Sequence, residues 1–390
     1  MSAPASSDAA GAVPITTVAR EWTRIGLTGF GGPPSHIALL RRLVVEQRGW
    51  LCDSDVESAI AACNLLPGPA STQLSIYLAR RLGGVAGAIV GGLGFIVPAV
   101  VIVTALSALF LTQAPPLWVR GAGAGAGAAV AAVALHAGWG LLVPSWRRTT
   151  EHRADRLRWL LYAVLGGASA ATIGPFLVLI LIACGLAEMF ARRPPGGALV
   201  SVGVPGLLAL TGVGGIGALA WVAFKVGALS YGGGFVIVPL MQADAVHTYH
   251  WMSSSEFLNA VALGQVSPGP VVATVAAVGY AARGVGGAAL AAAIAFAPSF
   301  AFVLIGGPHF DRLRHDARVR AFLDGAGPAA IGAIIGSAIP LTRALSEGWQ
   351  FAVLTAAAAA LLVLRRGIVA TLLAAGAIGV IIALAGGPVP

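Results

Sequence analysis

Apolar residues run in blocks longer than a soluble helix or strand needs, and the polar residues between them are mostly arginine. A bilayer-spanning helix takes about 20 predominantly apolar residues. Clean candidates are 84–111, 121–143, 286–306, 325–343, 349–364 and 367–386. Residues 159–190 are too long for one span and break at Gly174-Pro175, which predicts two short helices; 199–217 form a Gly-rich, weaker span. Four further apolar blocks carry Gly or Pro at their centres: GFGGPP at 29–34, LLPGP at 65–69, YGGG at 231–234 and SPGP at 267–270. Irregular backbone at membrane depth is tolerated only where it is buried in protein or lines a cavity. The pattern therefore predicts four broken or re-entrant hairpins, two in each half of the chain.

The halves repeat. A shift of 201 residues pairs Gly26 with Gly227, Gly31-Gly32 with Gly232-Gly233, Leu39 with Leu240, Trp50 with Trp251 and Asp55 with Glu256. It also pairs Pro67-Gly68-Pro69 with Pro268-Gly269-Pro270 and Gly83 with Gly284, and one residue of slip brings Pro98 onto Pro298. Low-complexity Ala/Gly does not produce the tryptophans and the PGP triplet in one register. Repeats of this kind are common in secondary transporters, whose substrate sites lie near the midplane at the repeat interface. The predicted fold is an all-α polytopic membrane protein of two homologous halves with broken helices: a disordered tail over 1–14, a first repeat over 15–198, a linking span over 199–217 and a second repeat over 218–390. The first fourteen residues have neither a basic n-region nor an apolar h-region, so they read as a cytoplasmic tail rather than a cleaved signal.

Composition agrees with this picture. Of 390 residues 57% are apolar and 10% charged, with mean hydropathy +0.87, against roughly 25% charged in an average soluble domain. The net charge of +9 comes from 23 Arg and one Lys against 15 acids. In a membrane protein loop arginines set orientation, so the excess does not point to nucleic acid. With both first-half hairpins opening to the cytoplasm and the 199–217 span inverting the second half, twenty cations fall inside and four outside. Parallel halves give seventeen and seven. The positive-inside rule thus favours an inverted repeat.

Cys52, Cys63 and Cys184 form no C-x-x-C pair and read as apolar fillers. No Walker A, H-E-x-x-H or G-x-S-x-G motif is present, and nothing in the chain calls for a metal or cofactor.

The motif regions also resemble a known family. F-G-G-P-P-S-H-I (30–37), W-L (50–51) and N-L-L-P-G-P-A (64–70) are similar to the first-half signature of the chromate ion transporter family. G-A-L-S-Y-G-G-G-F-V-I-V-P-L (227–240), W-M (251–252) and Q-V-S-P-G-P-V (265–271) are similar to its second-half signature. The resemblance spans roughly 20–385 and implies a long two-domain member that moves chromate across a bacterial inner membrane and confers resistance.

The residues themselves suggest how an anion is held. Each broken hairpin restarts a helix after its turn, near Pro33-Pro34-Ser35, Pro69-Ala70-Ser71, Gly234-Phe235 and Pro270-Val271. A helix N-terminus carries about half a positive charge and free N–H donors. Four such ends would match a tetrahedral dianion, with the glycines letting backbone approach it. The candidate binding residues are Gly31, Gly32, Pro33, Ser35, His36, Asn64, Pro67, Gly68, Pro69, Ser71 and Thr72 in the first half. In the second they are Tyr231, Gly232, Gly233, Gly234, Gln265, Ser267, Pro268, Gly269 and Pro270, with Gln73 and Thr274 nearby.

Several residues admit two readings. The glycine pairs either bind or serve helix packing. His36 is either a proton or anion site or a hydrogen-bonded structural histidine, and Lys225 either lines an anion pathway or snorkels at the interface. Arg41 and Arg42 with Glu46 gate the pathway or form a surface pair at i, i+4 spacing. Asp55 and Glu256 are expected to serve as helix N-cap or first-turn acids, Glu256 being a gate candidate too. Glu188 is the one acid expected inside an apolar span. The expected partners are chromate or a sulfate-like oxyanion and the lipid bilayer, with a homodimer as a candidate assembly and no nucleic acid. A membrane-embedded lipid-modifying enzyme is the contrasting class; it would need paired intramembrane carboxylates.

Overall fold

A computed structural model describes residues 13–63, 68–112, 114–149, 152–172, 176–192, 215–230, 235–306 and 316–390. Among these residues every regular element is a helix. The tail at 1–12 and residues 199–214 of the expected linking span lie outside them.

The first hairpin is built on α1 (Ile15–Thr28), which buries Val18, Trp22, Ile25 and Gly26 along one face. It stops at Gly29, whose N–H bonds the Ile25 carbonyl. Gly31 (φ 96°) and Gly32 (φ 75°) turn the chain through left-handed backbone, which glycine adopts without a Cβ clash. Pro33 and Pro34 then open α2 (Pro33–Arg41), and a wide π-helical turn follows over Arg42–Gln47. The second half repeats the arrangement with α8 (Ile216–Leu229), α9 (Ile237–Gln242) and a wide turn over Ala243–Thr248. The two wide turns close alike: Trp50 N–H bonds the Val44 carbonyl and Trp251 N–H bonds the Ala245 carbonyl, each at 2.8 Å. Arg48 covers the Trp50 ring and Tyr249 stacks on Trp251, so the paired tryptophans mark a repeated closure.

The second hairpin pairs α3 (Asp53–Cys63) with the first limb of α4 (Ala70–Phe110), and in the second half α10 (Ser254–Val266) with α11 (Val275–Gly306). Both α4 and α11 are broken. Gly84 has φ 63°, ψ −151° and Gly284 has φ 61°, ψ −153°. The structural match is therefore Gly84 with Gly284, 200 residues apart, and not Gly83 with Gly284. The one-residue slip falls between the PGP turn and this break. The chain doubles back there, bringing Gly87 against Ala79 and Gly287 against Gly279. The second limb, 85–110, is the expected clean span and about 39 Å long at 1.5 Å per residue.

Depth follows from packing along that limb. α1 runs beside it in the same direction: Val13 N–H bonds the Leu82 carbonyl, Trp22 meets Gly91, and Gly26 sits against the backbone of Gly94 and Phe95. The turn at Gly29 therefore lies near the limb's middle. In the second half Gly227 sits against Ala295, again near mid-limb. Arg80 donates to the Val303 carbonyl and Phe300 lies on Gly92, so the start of one long limb lies beside the end of the other.

The remaining helices interlock across the halves. α5 (Leu117–Arg148) of the first half packs on α13 (Gly348–Ala358) and α14 (Ile368–Leu384) of the second. Reciprocally, α12 (Ala317–Arg343) packs on α6 (Arg153–Thr172) and α7 (Leu177–Ala191). The seams are glycine: a side chain at Gly121, Gly125, Gly166, Gly332 or Gly336 would run into its partner's backbone. Between membrane helices, where lipid is as apolar as leucine, such close approach is what holds helices together. The predicted pair at 159–190 is realised as α6 and α7, with 173–175 outside the described residues. Four helical stretches are long and apolar enough to cross a membrane among the described residues: Ala70–Phe110, Leu117–Arg148, Val271–Gly306 and Ala317–Arg343.

Buried acids are each held by a cation. Lys225 on α8 bonds Asp244 in the wide turn at 2.6 Å, with the two side chains 13% and 9% exposed, and its ammonium lies 5.7 Å from the Trp221 ring centre. Lys225 is thus held inward in a buried ion pair. In the first half the same elements are joined with charges reversed: Glu21 on α1 takes Arg48 at 2.5 Å, and Arg24 at 3.0 Å. Glu188 is buried under Arg158 and Arg192, with the Tyr162 hydroxyl donating to it. Glu21 and Asp244, which lie outside the apolar spans read from the sequence, are buried as well.

Gly125→Leu and Gly332→Leu should each cost about 1–3 kcal/mol or more through overpacking, read as a lower melting temperature in detergent. Gly140→Leu, on the open face of α5, should leave it unchanged. Removing one member of a buried ion pair costs about 3–5 kcal/mol. Lys225→Met should therefore melt well below the double variant Lys225→Met/Asp244→Leu, and equal melting would deny the pair any bracing role.

Candidate functional site

The Gly29 carbonyl accepts two hydrogen bonds, from His36 Nε2 at 2.8 Å and from the Gly269 N–H at 2.9 Å. The first closes the turn of hairpin one; the second reaches across to the PGP turn of the other half. With Nε2–H donating, Nδ1 of the neutral ring is an acceptor, and the Ser71 hydroxyl lies 3.4 Å from it. His36 is fully buried, edge-on to Phe95 with ring centres 5.0 Å apart. It thus occupies the hydrogen-bonded position among its two readings, and joins hairpin one to the restarting helix of hairpin two.

The two PGP turns make reciprocal contacts. A Cβ on Gly68 would lie 3.4 Å from the Gly227 carbonyl, and one on Gly269 would lie 3.4 Å from the Gly26 carbonyl. Each turn therefore seats on the first helix of the opposite half. Both glycines are left-handed, at φ 118° and 91°, and Gly269 is pressed against Ala99. Gly32 in turn faces Val271.

Among the described residues the helix ends are not equivalent. Pro69 caps α4, and the first intrahelical bond there is Gln73 N–H to the Pro69 carbonyl. The N–H groups of Ala70, Ser71 and Thr72 are left over as free donors. Ser71 and Thr72 are buried, and neither Thr72 Oγ1 nor Ser75 Oγ has a hydrogen-bond partner. The α2 end is poorer, because Pro33 and Pro34 carry no N–H and His36 N–H is already bonded to Gly32. In the second half Val271–Thr274 is a 3-10 turn. There the Thr274 and Ser267 hydroxyls bond their own backbone at 2.7 Å, while Gln265 Nε2 is buried without a partner. Asn64, Pro67, Tyr231, Gly232, Gly233 and Gly234 lie outside the described residues.

Several polar side chains of the first half have apolar counterparts in the second. Ser35, His36, Ser71, Thr72 and Ser75 correspond at an offset of 201 to Val236, Ile237, Val272, Ala273 and Ala276, all buried. At these positions the second half is apolar where the first supplies hydroxyls and an imidazole, although Gln265, Ser267 and Thr274 are buried polar residues of the second half. Ser75, not among the candidates, joins them as a buried hydroxyl, signalled by its contrast with Ala276 in the repeat.

The gate candidates are scattered. Arg41 grips Asp53 through two 2.7 Å bonds, not Glu46. Arg42 and Glu46 are exposed and form no ion pair among the described residues; the π turn widens the i, i+4 register that would have paired them. Glu256 completes a capping box with Ser253, and Asp55 lies in the first turn of α3, as expected of first-turn acids. Glu256 also borders a cavity of about 430 Å³ lined by Arg120, Ser253, Asn259 and Gln350. It lies at the opposite end of α10 from the SPGP turn.

The chromate transporter family profile matches residues 16–189 and 217–380, each block holding both hairpins of one half. The chain is 32% identical over 367 residues to a chromate transport protein of Cupriavidus metallidurans, covering 91% of this chain and 89% of that one. It is 28% identical to a probable chromate transport protein of Synechococcus elongatus, covering 82% of each. A chromate transport protein of Pseudomonas aeruginosa is 27% identical, covering 83% of this chain and 80% of that one. No solved structure matches. With both halves matched and the Gly/Pro turns of each half meeting the other, this all-helical, multi-pass chain belongs to the chromate transporter family.

Proposed function

We propose that the chain is a secondary transporter exporting chromate across the bacterial inner membrane, conferring resistance, by alternating access around the turn junction. The observation that carries this reading is the convergence, near the middle of the long limbs, of the Gly29 turn, the His36–Ser71 link and the open first turn of α4. A tetrahedral dianion leaving water needs donors. The α4 end offers three free N–H groups with the helix's partial positive charge, and Thr72 and Ser75 add buried hydroxyls without partners. The relatives named for chromate transport support the substrate.

The inverted arrangement of the repeats is supported by two features: the start of one long limb beside the end of the other, and the reciprocal Gly68–Gly227 and Gly269–Gly26 contacts. Reciprocal contact of equivalent surfaces is the signature of a two-fold relation. Moving an elementary charge across 100 mV is worth about 2.3 kcal/mol, so a dianion leaving a negative interior gains about 4.6 kcal/mol. The potential alone drives export on that scale. Buried acids at Glu21, Asp244 and Glu188 are each matched by cations, which speaks against a metal-dependent lipid enzyme.

In inside-out vesicles, chromate uptake should rise with an imposed inside-positive potential; indifference to the potential rejects potential-assisted export. Ser71→Ala and Thr72→Val should raise the KM for chromate about tenfold, a loss of about 1.4 kcal/mol, at unchanged protein level. Val272→Ser, at the apolar counterpart, should change it less than about twofold. Sulfate shares chromate's charge and shape, so competition by excess sulfate decides between a chromate-selective site and a general oxyanion site.

A further inference from the structure

The outer face of α1 is anomalous for a helix at membrane depth. Thr16, Ala19, Arg20, Thr23, Arg24, Leu27 and Thr28, all on this one helix, line a shallow, wide-open depression. The Arg24 side chain is 56% exposed, and the face continues into exposed Phe30 and Gly31 at the turn. α1 lies in register with the long limb of α4, whose exposed residues are Val85, Ile89, Leu93, Val97 and Val101, a lipid-facing stripe. Arg24 is only about 6 Å along the helix from Thr28, and hence from the mid-limb turn.

The second half provides an internal control. On α8 the positions equivalent to Thr16, Arg20, Thr23 and Thr28 are Gly217, Trp221, Phe224 and Leu229, with Phe224 exposed. Lys225, the counterpart of Arg24, turns inward to Asp244. One half thus presents an ordinary lipid face where the other presents threonines and arginines. Exposed guanidinium groups at that depth are costly in hydrocarbon. Glu21 offsets only part of the positive charge, since it serves both Arg24 and Arg48, and Arg20 forms no ion pair among the described residues.

We propose that the outer face of α1 lines a water-filled cationic groove. A divalent oxyanion is recruited there at Arg20 and Arg24 and passes along Thr23 and Thr28 to the Gly31–Gly32 turn. Recruitment rests on the oxyanion-transport reading above; wetting of the groove does not.

The test uses the full chain in proteoliposomes, with exposed Cys52 changed to Ser and the buried Cys63 and Cys184 retained. Thr28→Cys and Thr16→Cys should react with a membrane-impermeant maleimide at least about tenfold faster than Phe224→Cys and Leu93→Cys. Millimolar sulfate, which does not oxidise thiols, should slow the Thr28→Cys reaction severalfold, and Arg20→Gln/Arg24→Gln should remove that protection without slowing the labelling itself. Equal labelling at all four positions would overturn the groove. Efficient Thr28→Cys cross-linking between two copies under oxidant would also overturn it, by making the face an interface. Fast labelling unaffected by sulfate overturns anion recruitment, and it does so whether or not chromate flux is found.

Discussion

A backbone that leaves the helix inside an apolar slab must bring its own hydrogen-bond partners, because no water is there to supply them. The Gly29 carbonyl meets that demand by taking His36 from its own hairpin and Gly269 from the other half. Much else follows from this one acceptor. It holds the first turn against the second PGP turn, sets both beside the middle of the long α4 limb, and orients the imidazole toward Ser71. The prolines have a related effect. Placed where a helix restarts, they delete N–H groups that would otherwise need partners. The donors that survive, at the start of α4, therefore stand out chemically.

Most of the architecture was legible in the sequence because breaks in apolar runs are rare and conspicuous. The four interrupted blocks, the limb at 85–110 and the pair α6–α7 all follow from Gly/Pro placement and span length. The buried acids were less legible. Asp244 sits in M-Q-A-D-A-V-H-T, which reads as a polar exit from the membrane, and only the wide turn returns it to α8. Glu21 was hidden likewise among the arginines of an amphipathic α1. The exact position of the helix break also escaped, since Gly83 and Gly84 are adjacent and only the positive φ of Gly84 identifies the match.

Partner choice was hidden for a different reason. The glycine seams of α5 and α12 declare close packing but carry no address, so the exchange of α6–α7 with α13–α14 had no sequence signal. In the candidate site, the resemblance of the halves drew attention to what is shared, the turns, whereas the chemistry lies in what differs. His36 against Ile237 and Ser71 against Val272 make the two halves chemically unlike at matched positions. Duplication gave the geometry, and divergence made it asymmetric.

The interlocked packing also bears on biosynthesis. When α5 leaves the ribosome its glycine seam has no partner, because α14 begins about 220 residues after α5 ends. Until then Gly121 and Gly125 face lipid or a chaperone, and the first half waits as an unfinished structure. α7 and α6 wait in the same way for α12. The two halves therefore mature together, late in translation, and a chain stopped between them has its helices inserted but its seams unfilled.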